Sequence, residues 1–89
     1  MLTSDTTNAD RAQWALSAIS DFVQQTGVDD AADAITDLIT NLLHLARATG
    51  LAPDAIAMRA MVMMTEELRD DDEGDLMGVV RQLEGLFPA

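Results

Sequence analysis

The chain has 89 residues, sixteen Asp and Glu against five Arg, no Lys and no Cys, for a net charge of −11. That balance argues directly against a nucleic-acid binder, which needs clustered cations for phosphates. It also argues against adhesion to an anionic membrane surface. Apolar residues at 48% are too many for a disordered acidic tail, and the length allows one small folded domain. Without cysteine there is neither a disulfide staple nor a thiolate metal site. With no apolar run near the roughly 20 residues of a membrane helix, the chain is expected in the cytoplasm.

Residues 1–8 lack periodicity and read as a flexible leader, with a single helical domain over 9–89. A first helix is expected from Asn8 or Asp10, either of which can cap it. Trp14, Ala15, Ala18, Ile19, Phe22 and Val23 then recur at helical spacing, and Gly27 ends the segment. A second helix begins at Asp29 or Asp30, since acids suit the positive end of the macrodipole. Ile35, Leu38, Ile39, Leu42, Leu45 and Ala46 give it a broad apolar stripe, and Gly50 closes it.

Pro53 suits the first turn of a third helix, which carries Met58, Met61, Val62, Met63, Met64 and Leu68. The run 61–64 wraps round the helix instead of keeping to one face. Residues 70–75 break it, with Gly74 as the stop, and Asp75 caps a short fourth helix bearing Leu76, Val79, Val80, Leu83 and Leu86. Pro88 ends the pattern. Nothing reads as a strand. The expectation is an all-α, compact bundle of about four helices joined by short turns. In it Ile35, Leu38, Ile39 and Leu42 meet Ile19 and Phe22 on one side and Met61 and Met64 on the other.

The acids fall into two groups. Asp29, Asp33 and Asp37 are spaced to form one row along the second helix, about 6 Å apart at 1.5 Å rise per residue. Glu66, Glu67, Asp70, Asp71, Asp72, Glu73 and Asp75 form a dense run around its successor's end. A calcium loop needs Gly sixth and Glu twelfth. Counted from Asp70, Gly74 falls fifth and Arg81 twelfth, so the run is not one. His44 has no second His or Cys with which to ligate zinc or activate a nucleophile. Neither a cofactor nor a metal is expected.

Residues 33–68, DAITDLITNLLHLARATGLAPDAIAMRAMVMMTEEL, resemble the second half of the MazG-like all-α NTP pyrophosphohydrolases. The resemblance implies a magnesium-dependent helical dimer that cleaves nucleoside triphosphates. It puts Asp37 on that family's metal-binding aspartate, with Asp33 beside it. Ala34 replaces the neighbouring glutamate, and the first acidic motif is absent because no Glu precedes Glu66. Ala52 likewise departs from the capping Asp of the pattern's turn. In size, charge and helical content the chain also resembles small acidic phage and mobile-element inhibitors of the anti-CRISPR and anti-restriction type.

The expected function is therefore a non-catalytic acidic binding protein that occupies the basic nucleic-acid groove of a partner. The ten acids of the two groups would be its contacts, and a homodimer could form through the 61–64 region. The alternatives are a degenerate MazG-like enzyme or a helical dimerisation or scaffold module.

Overall fold

In the computed structural model, which describes residues 6–69 and 74–87, four helices account for the regular structure: α1 (Asn8–Thr26), α2 (Ala31–Ala48), α3 (Pro53–Leu68) and α4 (Leu76–Leu86). The all-α expectation holds, and no strand occurs among the described residues. Pro88 and residues 1–5 lie outside them.

Each helix starts where local chemistry satisfies its first N–H groups. Thr7 caps α1. Its Oγ1 accepts from the Asp10 N–H at 3.1 Å while the Asp10 carboxylate accepts from the Thr7 N–H at 3.0 Å, a reciprocal capping box. The cap is thus Thr7, inside the expected leader, and not Asn8 or Asp10. Asp30 caps α2 by accepting from the Asp33 N–H at 3.0 Å, and Asp75 caps α4 by accepting from the Gly78 N–H at 3.0 Å. Only α3 begins without a side-chain cap, because Ala52 has nothing to offer. Pro53 at its start removes one of the orphan donors.

The helix ends also follow from sequence, with one correction. Gly27 takes a left-handed conformation (φ 72°) and its N–H returns to the Val23 carbonyl. Leu51 donates back to the Ala46 carbonyl at 2.9 Å after α2. But α3 stops at Leu68, with Arg69 as its cap, so Gly74 is not its terminator. Gly74 instead brings the chain back against Thr7 and Ala9 at the start of α1.

Packing is local and thin. α1 lies against α4 and α2, and α2 against α3, in a slab of 37 × 34 × 21 Å, about two helix diameters thick. Among the described residues the buried ones are Ala9, Leu16, Ile19, Ala34 and Ala46, two large side chains and three alanines. Gln13 and Gln82 exchange two amide hydrogen bonds of 3.1 Å between α1 and α4. A second bridge joins the start of α1 to the end of α3. There Arg11 Nε meets Glu67 Oε2 at 3.2 Å, its Nη1 donates to Asn8 Oδ1 at 2.7 Å, and Asn8 Nδ2 donates to the Glu67 carbonyl at 3.2 Å.

The expected heart of the core is where sequence and structure part. Ile39 is 52% exposed, Leu42 53% and Met61 60%; Ile35 and Met64 are exposed as well. At 100° per residue, Ala34 and Leu38 project to one side of that stripe and Leu43 to the other, with the small, buried Ala46 within it. These flanking residues are the buried or half-buried ones. Ile35, Ile39 and Leu42 lie between them and are left open to solvent.

Candidate functional site

Two opposed surfaces of α2 stand out. On one, Asp33 and Asp37 follow each other by a single helical turn, both exposed. At 100° per residue their direction is opposite to that of Ile35, Leu42 and Ala46. Asp29 is exposed too, but it precedes the helix. The expected three-acid helical row is therefore shortened to two, because the Asp30 cap starts α2 at Ala31. Asp29 extends the acidic surface from the turn. No Arg or His occurs from residue 29 to residue 43, so nothing nearby on the chain neutralises it.

The second expected group divides by role. Glu66 is exposed on α3. Glu67 is half-buried and engaged with Arg11, and the Asp75 carboxylate holds the first turn of α4. Asp70, Asp71, Asp72 and Glu73 lie outside the described residues. Two of the ten expected contact acids thus have structural work of their own. An N-cap is worth about 1 kcal/mol, and a half-exposed ion pair about 1 kcal/mol or less.

A magnesium centre of the kind the pyrophosphohydrolase resemblance implies needs several oxygen ligands converging. Among the described residues, no three of His, Asp and Glu come close enough to hold a metal ion. Asp33 and Asp37, on the solvent side of α2, do not fit one.

On the opposite side the α2 stripe was expected to be core, whereas the 61–64 region of α3 was already a candidate contact between copies. Where α1, α2 and α4 meet, Leu16, Ile19, Ile35, Val79 and Leu83 line an open apolar cavity of about 170 Å³. Beyond it, α3 has no buried residue. Met58, Met61, Val62 and Met63 are all half or more exposed, and Leu68 with them. The sequence signal for this was the wrap-round Met run. A helix apolar on every side is either buried on every side or carries a face meant for another molecule.

No protein-family model matches the chain, and no curated protein or solved structure is significantly similar to it.

Proposed function

We propose that this chain is a non-catalytic acidic binding protein whose partner presents a basic surface of the kind that grips nucleic acid. The observation that carries the reading is the solvent face of α2: Asp33 and Asp37 exposed one turn apart, Asp29 exposed just before them, and no cation from residue 29 to residue 43. Carboxylates at this spacing repel one another by a few tenths of a kcal/mol. They are not recruited as caps or ion-pair partners within the chain, unlike Asp10, Asp30, Glu67 and Asp75. A groove of Arg and Lys that normally receives phosphates would relieve the repulsion and be filled by it. In this role the chain acts as an inhibitor that competes with nucleic acid, as anti-CRISPR and anti-restriction proteins do.

The reading is tested by immobilising the full chain, passing lysate of the source cell over it and eluting with a salt gradient. The same is done with an Asp33→Asn/Asp37→Asn double variant. Wild type should retain a protein that nucleic acid displaces and that added salt releases. The double variant should retain about tenfold less, as expected when two charge contacts of 0.5–1 kcal/mol or more are lost. Equal retention by both chains would overturn the assignment of the site. Retention that nucleic acid does not compete would overturn the mimicry.

A further inference from the structure

The outward face of α3 has an order that points to its occupant. At 100° per residue, Asp54, Met58, Met61, Val62, Thr65 and Arg69 share one side of the helix, opposite the half-buried Ile56 and Glu67. The spacing within 58–65 is i, i+3, i+4, i+7, a helix-packing seam. All six are exposed. The one hydroxyl on the seam, Thr65 Oγ1, already donates to the Met61 carbonyl of its own helix at 2.9 Å. It can therefore be covered by apolar atoms without leaving a donor unpaired.

The seam is self-complementary when reversed. From these positions we infer that a second copy of the chain packs its α3 antiparallel onto this one, about a two-fold axis passing between Met61 and Val62. In a two-fold contact the pairings are reciprocal. Met61 then faces Val62 of the second copy, and Met58 faces its Thr65. At each end, Asp54 faces the second copy's Arg69. Along the flank, Arg59 lies level with the second copy's Met64, about 3 Å along the axis from the level of its Glu66. Among the described residues none of Asp54, Arg59, Glu66 and Arg69 has an ion pair within its own chain. A parallel arrangement would instead set Asp54 against Asp54 and Arg69 against Arg69. The charges favour the antiparallel register.

An isolated helix of this length is marginal in water, and α3 has no side-chain cap and no buried residue. A second α3 supplies the missing packing. This contact uses none of Asp29, Asp33 and Asp37, and it stands whether or not the acidic face binds a basic partner.

Sedimentation equilibrium of the full chain across a concentration series tests it. Wild type should associate to a dimer and no further. Asp54→Arg and Arg69→Asp should each raise the dissociation constant about tenfold, because each places two like-charge pairs in the contact. The combined D54R/R69D chain should return to within about threefold of wild type, since the pairs are rebuilt with signs exchanged. Far-UV circular dichroism of each variant, taken at a concentration where it is dimeric, checks that α3 is intact, since both reversals oppose the helix macrodipole. Val62→Glu should abolish the dimer. A wild type monomeric throughout the series would overturn the proposal. So would a dimer indifferent to both single reversals, or one the double reversal fails to restore.

Discussion

Leu16→Ala and Ile19→Ala should each take about 2–4 kcal/mol from the stability of the fold, the range for truncating a buried Leu or Ile. These are the only large side chains among the described residues that are buried, Ile19 being 4% exposed. A domain of this size has roughly 5 kcal/mol in total to lose. Either variant should then be substantially unfolded under conditions where wild type is folded. Both side chains already border the open cavity between α1, α2 and α4. Truncation enlarges that cavity instead of letting the neighbours close on it. Urea melts followed by far-UV circular dichroism, at one fixed protein concentration because association would shift the midpoint, give the answer. Midpoints within about 0.5 kcal/mol of wild type, as surface changes show, would mean that the core lies elsewhere.

Gly74→Ala should cost about 2–3 kcal/mol, from two sources. Gly74 has φ 73°, a left-handed conformation that costs an L-residue roughly 1–2 kcal/mol. Its new Cβ would also stand 2.5 Å from Thr7 Oγ1, 2.9 Å from Thr7 Cβ and 3.0 Å from Ala9 Cβ. That Oγ1 is the acceptor of the α1 capping box, so displacing it adds up to about 1 kcal/mol of lost capping. The two sources can be separated. Thr7→Gly removes the atoms in the way while costing the cap only about a few tenths of a kcal/mol, less than Thr7→Ala would. In a double-mutant cycle Gly74→Ala should be milder on the Thr7→Gly background by about 1 kcal/mol. An additive cycle would show that the clash with Thr7 contributes nothing, and a neutral Gly74→Ala would show that the return of the chain onto α1 is not fixed.

Much of the fold was legible because helix ends are local chemistry. Asp30, Pro53 and Asp75 start their helices, and Gly27 ends α1, for reasons that need no tertiary information. Thr7 was hidden because Asn8 and Asp10 are equally good cap residues. Only the reciprocal bond between Thr7 and Asp10 decides among them. The core was misjudged for a different reason. Periodicity says that Ile35, Ile39 and Leu42 share a face, but not that a neighbour from the same chain covers it. Here α2 packs against both α1 and α3 while burying Ala34 and Ala46 and half-burying Leu38 and Leu43. The small alanines admit close approach there, and the larger residues between them stay exposed. The acids illustrate the same limit. Charge is visible in sequence, yet whether Glu67 and Asp75 are free to bind a partner depends on Arg11 and on the Gly78 N–H.

The two exposed surfaces answer different demands. The Asp33–Asp37 face repels itself and attracts cations. The α3 seam is apolar with opposite charges at its ends, and it fits a copy of itself. A dimer so built would carry two acidic faces, and a partner able to meet both would bind by avidity.

The proposed mimicry is most directly measured by the salt dependence of binding. The affinity of the protein captured on the chain is followed from 50 to 200 mM salt at fixed pH, with wild type and with the Asp33→Asn/Asp37→Asn variant. If the acidic face takes the place of phosphates, affinity should fall by about tenfold or more over that interval, and less steeply for the variant. A salt-independent affinity, or the same slope in both chains, would contradict it.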